Sequence, residues 1–284
     1  MIYLFIVTAI WSFSFSLIGV YLSGQVDSWF AVVSRICLAL LVFIPFLRFR
    51  FFTLKQIILL AGVGAFQLGI MYVFYYKAFA YLTVPELLLF TIFTPIYVTL
   101  IYDLLCKNKI KITYLLTTLL AVIGAAIIRY DQITANFIIG FLMIQASSIV
   151  FAIGQVGYKR IMELYNLPQH YSFAWVYVGA AIISIIGWII FGDKSRLPTT
   201  ETQWAIIIWL GIVASGLGYF LWNYGATKVD SGTLAIMNNV VIPVGIIVNV
   251  VLWGQQIDWV RFLLGSGVII LSLVIHQKWC VTKK

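Results

Sequence analysis

The chain has 284 residues, of which 63% are hydrophobic and only 10% are charged. A soluble domain carries about 25% charged residues, so this chain could not cover a water-facing surface of its size. The composition excludes a soluble enzyme or binding domain and indicates a protein surrounded mostly by lipid. The net charge of +9 does not indicate a nucleic-acid partner, because basic residues of membrane proteins collect in cytoplasmic loops.

Ten stretches of the sequence have, or nearly have, the roughly 20 mostly apolar residues that a membrane-spanning helix needs. The connections between them are short, which leaves no room for a soluble domain. The predicted spans cover residues 2–22, 28–47, 56–80, 85–105, 112–128, 138–158, 170–191, 203–226, 232–253 and 260–278. We therefore predict an all-α, multi-pass membrane protein with ten transmembrane helices.

The basic residues are unevenly distributed over the predicted loops. If the N-terminus is cytoplasmic, twelve Lys and Arg residues lie on the cytoplasmic side and five on the outer side, while Arg35 lies within the second span. Cytoplasmic loops are enriched in basic residues, so this bias predicts that the N- and C-termini are both cytoplasmic. Adding or removing one span would exchange the sides of all later loops, so the bias in basic residues also favours a count of ten spans.

An internal repeat relates the two halves of the sequence. At an offset of 148 residues, Pro95 aligns with Pro243, and each proline lies near the middle of a span. Five spans per half is an odd number, so the first repeat (1–134) and the second (135–284) cross the membrane in opposite senses and form one integrated domain. This inverted repeat is typical of secondary transporters, whose substrate site lies near the midplane between the halves.

The sequence contains no recognisable motif for catalysis, nucleotide hydrolysis or metal binding. It has no G-x-x-x-x-G-K-[ST] phosphate loop, no H-E-x-x-H and no G-x-S-x-G. The three cysteines and two histidines lack metal-ligand spacing. We expect a carrier and not an enzyme, with no cofactor, no metal site and no ATPase domain. A polytopic membrane enzyme acting on a lipid is the alternative from another class. The oligomeric state is not indicated.

Polar and aromatic residues of the third, fourth, eighth and ninth spans recur at steps of three and four residues, and at the repeat offset in both halves. Polar groups inside a membrane face the bundle interior or a wet cavity. We expect these polar and aromatic residues to line one central cavity and to bind a substrate. The candidates are Gln67, Tyr75, Phe90, Thr91, Tyr219, Trp222, Asn223, Asn238 and Asn239.

Asn238 and Asn239 are adjacent amides in the middle of a span. Their donors and acceptors suit a polar substrate, and the alternative is a polar clasp between helices. Adjacent side chains point about 100° apart on a helix, so both cannot face the same spot. We predict that at least one contacts the substrate. For each aromatic candidate, simple packing is the alternative.

Three charged residues in or near the spans are further candidates. Glu86, at the outer end of the fourth span, is either a proton-coupling group or the third residue of a capping box that begins at Thr83. Lys77 and Arg35 are candidates to bind an anionic substrate. Lys77, which continues the polar stripe, is the first choice. The alternative for Lys77 is that it extends its charged end to the membrane interface. The alternative for Arg35 is a structural hydrogen bond.

The sequence resembles the EamA-type branch of the drug/metabolite transporter superfamily. Trp11 followed by Phe15 in the first span and the proline-centred fourth and ninth spans carry this resemblance. Within that branch, longer segments resemble the gammaproteobacterial biotin transporters over nearly the whole chain. These segments are Glu86–Thr91, Thr94–Pro95, Thr99–Asp103, Ile128–Gln132, Val156–Arg160, Pro168–His170, Phe173–Trp175, Trp222–Thr227 and Ile236–Asn239.

This resemblance implies uptake of biotin through the bacterial inner membrane, by a secondary-active or facilitated mechanism. The cavity predicted above suits biotin, because amides match the ureido ring, aromatic walls match the fused rings, and a cation matches the carboxylate. The same residue types would also suit import or export of amino acids or other small carboxylates, which is the alternative within the superfamily.

Overall fold

The computed structural model describes residues 1–82, 87, 90–107, 112–129, 137–253, 258–276 and 278. Over these residues the regular secondary structure is helical throughout. The principal helices are α1 (Ile2–Leu22), α2 (Ser28–Phe46), α3 (Leu54–Ala78), α4 (Thr94–Lys107), α5 (Ile112–Arg129), α6 (Phe137–Tyr165), α7 (Gln169–Phe191), α8 (Glu201–Ala226), α9 (Ser231–Trp253) and α10 (Trp259–Ile275).

Seven of these helices, α1 to α3 and α6 to α9, are long and apolar enough to cross a membrane by length and composition. The apolar stretches of α4, α5 and α10 are shorter over the part of the chain that is described. The all-helical membrane architecture predicted from the sequence is therefore confirmed, while the count of ten spans stays a prediction.

Polar side chains determine where several helices begin. Asp27 caps α2, and its Oδ1 accepts a hydrogen bond at 2.8 Å from a backbone N–H of the first turn. Thr53 with Gln56 and Thr200 with Gln203 form capping boxes at the starts of α3 and α8. These caps satisfy N–H groups that have no partner inside the helix. They fix the starting point of α2, α3 and α8, the helices that meet at the functional site.

The helices pack in a pattern that largely recurs when each helix number is raised by five. α1 packs on α8 and α9, while α6 packs on α3 and α4. α2 packs on α7 and α8, α7 packs on α2 and α3, and α5 packs on α10. The first five helices and the last five therefore interdigitate through equivalent contacts.

Glycines allow α3 and α7 to approach each other closely. A Cβ atom added at Gly64 would overlap the carbonyl oxygen of Val176, and one added at Gly179 would overlap the carbonyl oxygen of Ala61. Small residues have this role in membrane helices, where close backbone packing replaces the hydrophobic driving force available in water. The contact holds α7 against the middle of α3.

α3 and α8 each contain a π-helical segment, Ala65–Ile70 and Leu210–Leu217. The offset of 148 residues moves the first segment onto 213–218, so the two deformations overlap in the repeat. A π segment disturbs the regular pattern of backbone hydrogen bonds and is frequent at functional sites. The deformed turns lie in the middle of their helices, beside the central cavity described below.

Side chains of other helices bond the carbonyl groups of the π segment in α8. The hydroxyl of Tyr177 on α7 donates to the carbonyl oxygens of Ser215 at 2.6 Å and Gly216 at 3.0 Å. The indole N–H of Trp11 on α1 donates to the carbonyl oxygen of Ala214 at 3.0 Å. These bonds satisfy backbone groups that lipid could not, and they attach α1 and α7 to α8.

His276 connects α5, α9 and α10 at the end of the bundle where α1 begins. Its buried ring lies 2.9 Å from Thr117 Oγ1 through Nδ1 and 2.7 Å from Asp230 Oδ1 through Nε2. Asp230 also caps α9 through the backbone N–H groups of Gly232 and Thr233. Burial by itself would raise the pKa of Asp230, but the hydrogen bonds from His276 and Thr233 outweigh it and hold that pKa well below its ordinary value.

We expect Asp230→Ala to lower the free energy of unfolding by about 1–3 kcal/mol, because it removes the α9 cap and a hydrogen-bond partner of buried His276. Thermal unfolding in detergent, followed by circular dichroism, measures the loss. The matched control is Asp193→Ala, which removes an exposed acid that bonds Ser195 between α7 and α8. The control should leave the unfolding temperature unchanged, and equal losses in the two variants would contradict the assignment.

Candidate functional site

A central cavity lies among α1, α2, α3, α6, α8, α9 and the residues around the start of α4. It contains about 710 Å³ of space free of protein atoms, including its opening to solvent. Its described lining consists of Trp11, Ser14, Phe15, Ile18, Arg35, Met71, Tyr72, Tyr75, Thr91, Thr94, Ser147, Ser148, Phe151, Tyr219, Asn238 and Val241.

Arg35 on α2 supplies the positive charge of this wall. Its side chain is almost fully buried, with 2% of the residue exposed. Nε donates a hydrogen bond to Ser215 Oγ at 2.9 Å, and Nη1 donates to the Tyr76 hydroxyl at 3.0 Å. The guanidinium carbon lies 4.1 Å from the centre of the Tyr72 ring, close enough for the ring face to attract the cation. Helices α2, α3 and α8 therefore meet at this side chain.

The surroundings of the Arg35 cation are neutral. Across the described ranges, the ion pairs involve Lys159, Arg160, Arg261 and His276, and none includes Arg35. A guanidinium has five N–H donors, and the hydrogen bonds above engage two of them. A buried cation beside a cavity, with donors remaining and no counter-ion among the described residues, is suited to bind an anion. Its planar fork fits a carboxylate.

Aromatic rings close the cavity toward the end of the bundle where α1 begins. The Trp11 ring centre lies 4.7 Å from that of Tyr219 and 4.8 Å from that of Trp222. The Phe151 ring lies 6.4 Å from both Trp11 and Tyr219. Trp222 is 1% exposed and lies behind the lining. We call Trp11, Phe151 and Tyr219 the aromatic floor. Its rings offer the flat apolar surface that a ring-containing ligand would need.

Asn238 and Asn239 lie in different environments. Asn238 lines the cavity, and its Nδ2 donates to the carbonyl oxygen of Leu234 in its own helix at 2.9 Å. Asn239 is fully buried, and its Nδ2 donates to the carbonyl oxygen of Ile92, just before α4, at 3.2 Å. Asn238 is thus the amide available to a ligand, whereas Asn239 joins α9 to the start of α4.

α6 is fixed against α3 and α4 by side-chain hydrogen bonds. Ser147 Oγ donates to the carbonyl oxygen of Met71 at 3.1 Å. Gln145 Nε2 donates to the carbonyl oxygen of Phe90 at 3.0 Å, and its Oε1 accepts from the Tyr97 hydroxyl at 2.8 Å. These bonds hold the serines of α6 in the cavity wall.

The eleven residues predicted to bind substrate separate into three groups. Five line the cavity: Arg35, Tyr75, Thr91, Tyr219 and Asn238. Five are buried outside the lining: Gln67, Phe90, Trp222, Asn223 and Asn239. The eleventh, Lys77, is exposed.

The sequence favoured Lys77 over Arg35 as the cation that meets a ligand, whereas Arg35 lines the cavity and Lys77 does not. Lys77 Nζ lies 5.3 Å from the centre of the Trp29 ring, away from the cavity lining. Arg35 lies in the wall. Beyond the π segment, the α3 residues that line the cavity are Met71, Tyr72 and Tyr75, so the lining face of α3 does not continue through Phe74 to Lys77.

Sequence reasoning overlooked the polar contributions of α1 and α6 to the wall. Ser14 of α1 and Ser147 and Ser148 of α6 line the cavity, and so does Tyr72. A signal was present, because small polar residues recur inside spans that are otherwise apolar.

Glu86 lies outside the described residues, as does the Thr83–Glu86 capping sequence. Proton coupling and helix capping by Glu86 therefore both stay predictions.

The comparisons with known proteins agree on one family of transporters. The EamA-like transporter family matches residues 1–130 and 138–276. The "Biotin transporter" of Salmonella typhimurium is 55% identical over 97% of this chain and 92% of its own length, and that of Escherichia coli is 54% identical over the same shares. The "Probable biotin transporter" of Pseudomonas aeruginosa is 49% identical, covering 97% and 96%. A crystal structure with 16% identity matches with a TM-score of 0.76 over 98% of this chain and 96% of its own, which supports the fold alone.

We expect Asn239→Ala to lower the free energy of unfolding, because it removes the hydrogen bond to the Ile92 carbonyl. Measured interhelical hydrogen bonds in membranes contribute about 0.6 kcal/mol on average and up to about 1.7 kcal/mol. Asn238→Ala is the matched control, since its bond lies within α9 and its side chain faces the cavity. The control should lose less stability than Asn239→Ala, because it breaks no bond between helices. Thermal unfolding of both variants in detergent tests this, and a larger loss in Asn238→Ala would contradict it.

Proposed function

Because the chain belongs to the EamA-like transporter family, we propose that it takes up biotin through the bacterial inner membrane by alternating access. The substrate is taken from relatives named as biotin transporters, which are 49–55% identical over 97% of this chain. The observation that carries the proposal is Arg35, a buried cation in the cavity wall with no acidic partner among the described residues.

The proposed topology has ten spans, with both termini in the cytoplasm and two halves, 1–134 and 135–284, in opposite orientation. The bias of twelve basic residues to five supports the orientation. The equivalent contacts of the first five and last five helices support the two halves. The central cavity lies between these halves, where inverted-repeat carriers bind their substrates.

The chemistry of biotin matches the cavity at three points. The carboxylate pairs with Arg35, which can hold it through two parallel N–H donors. The aliphatic chain and fused rings pack on Phe15, Tyr75 and the aromatic floor. The ureido group, with one acceptor and two donors, bonds the Asn238 amide and the neighbouring hydroxyl groups. Lys77 and the five predicted residues outside the lining make no contact in this arrangement.

A carboxylate ligand also changes the electrostatics of the cavity. Taking one charge out of water is costly, and an isolated cation in a membrane interior is among the most costly cases. A ligand anion supplies the missing counter-charge, so the binding energy is concentrated at the carboxylate. Neutral analogues of the same shape lose this contribution.

Uptake of labelled biotin into bacterial cells that lack their own biotin transporter tests the proposed function. We expect saturable uptake above vector-only cells, with competition by unlabelled biotin and none by amino acids. Competition by amino acids at comparable concentrations would favour the general carboxylate or amino-acid carrier. Uptake equal to that of vector-only cells would contradict biotin transport.

We expect Arg35→Leu to weaken biotin binding about 30-fold or more, because truncating one partner of a buried charge pair costs about 2–5 kcal/mol. Arg35→Lys should be intermediate, since it keeps the charge and loses the fork. Lys77→Leu is the matched control and should bind within twofold of wild type. Binding to purified protein by titration calorimetry measures all three.

A comparison of ligands separates a direct contact from a structural role of Arg35. Wild-type protein should bind biotin much more tightly than biotinamide, which lacks the charged carboxylate. In Arg35→Leu the two affinities should become equal, because the charge difference no longer matters. A preference for biotin that persists unchanged in Arg35→Leu would assign the carboxylate to another residue.

A further inference from the structure

Four polar side chains lie one helical turn beyond the cavity wall. They lie toward the end of the bundle where α1 and α3 begin and where α6 and α8 end. We call them the inner polar ring. The four are Thr8, Gln67, Gln155 and Asn223, three or four residues along their helices from Trp11, Met71, Phe151 and Tyr219.

The inner polar ring is completely enclosed. Each of its residues is at most 1% exposed. Thr8 Oγ1, both side-chain polar atoms of Gln67 and of Gln155, and Asn223 Oδ1 make no hydrogen bond to the described protein. Buried polar atoms are nearly always paired, so several unpaired ones on four different helices need an explanation. Apolar side chains of similar size would pack there more stably.

The ring residues are brought together by close packing of their helices. α3 packs closely on α6 at Gly154, where an added Cβ atom would overlap the side chain of Gln67. Gln155 follows Gly154 directly in α6. α8 also packs on both α1 and α6. Three of these four helices carry the aromatic floor one turn away. The floor therefore lies between the cavity and the ring.

We propose that the inner polar ring is the inner section of the substrate path. It opens to water when the cavity opens toward this end, and it then binds the uncharged, urea-like part of the substrate. Amide side chains offer both donors and acceptors, which is the combination that a cyclic urea needs. This inference rests on the proposed function as an alternating-access carrier. The polar atoms of the inner polar ring are unpaired because this section of the path is closed in the conformation described.

Thiol labelling tests the path without reference to any substrate. Cys37, Cys106 and Cys280 are first replaced by Ser. Gln67→Cys is then compared with Leu68→Cys, its fully buried neighbour on α3. The probe is a positively charged, membrane-impermeant methanethiosulfonate applied to inside-out vesicles. We expect Gln67→Cys to react at least tenfold faster than Leu68→Cys. Equal rates, or reaction only in right-side-out vesicles, would overturn the proposal.

Transport measurements test the role of the ring toward the substrate. We expect Gln155→Leu to unfold at the same or a higher temperature and to take up biotin at least tenfold more slowly. Unchanged uptake by the folded variant would overturn the proposal. Failure of wild-type protein to transport biotin would instead contradict the proposed function, and thiol labelling would still decide whether the path exists.

Discussion

The Arg35 guanidinium is the constraint on which the membrane interior of this protein depends. An unpaired ion in a low-dielectric interior costs several kcal/mol, even after relaxation. Among the described residues, this cost is offset by neutral groups, namely the ring of Tyr72 and the hydroxyl groups of Tyr76 and Ser215. Neutral partners leave part of the cost uncompensated, and they leave N–H donors at the cavity. In the proposed function, this arrangement favours binding of an anionic substrate.

The irregular middle of α8 is the second part of this arrangement. The π segment Leu210–Leu217 contains Ser215, the hydroxyl that accepts from Arg35, and its carbonyl groups receive hydrogen bonds from Tyr177 and Trp11. Trp11 therefore has two roles, because it stabilises the deformed backbone and forms part of the aromatic floor. Any movement of α8 changes the Arg35 environment and the floor together. In a carrier, such a connection between Arg35 and the aromatic floor would allow substrate binding at the cavity to affect closure of the substrate path.

Hydropathy predicted the helices well because length and apolarity are what lipid selects for. α1 covers 2–22 as predicted, whereas α6 continues to Tyr165, seven residues past the predicted span. The extension is polar. Lys159 pairs with Glu163 and donates to the backbone at the end of α8, interactions that hydropathy cannot register. The functional site was harder to predict. A stripe of period 3.6 identifies a helix face, but a π segment adds a residue to a turn and rotates the face beyond it. Gln67 lies inside such a segment and contacts Gly154 instead of the cavity.

The unpaired polar atoms beyond the floor have an energetic consequence for a two-state carrier. Each costs the closed conformation about 1–3 kcal/mol. An apolar interior would remove this cost and favour the closed state strongly, so the open state would be rarely populated. A ligand can shift an equilibrium only by its differential affinity for the two states, and reversing a 100-fold preference requires about 5.5 kcal/mol. In the proposed alternating-access carrier, destabilising the closed section with Gln67 and Gln155 brings the two conformations closer in free energy. The modest difference in binding energy of one small carboxylate would then drive the exchange.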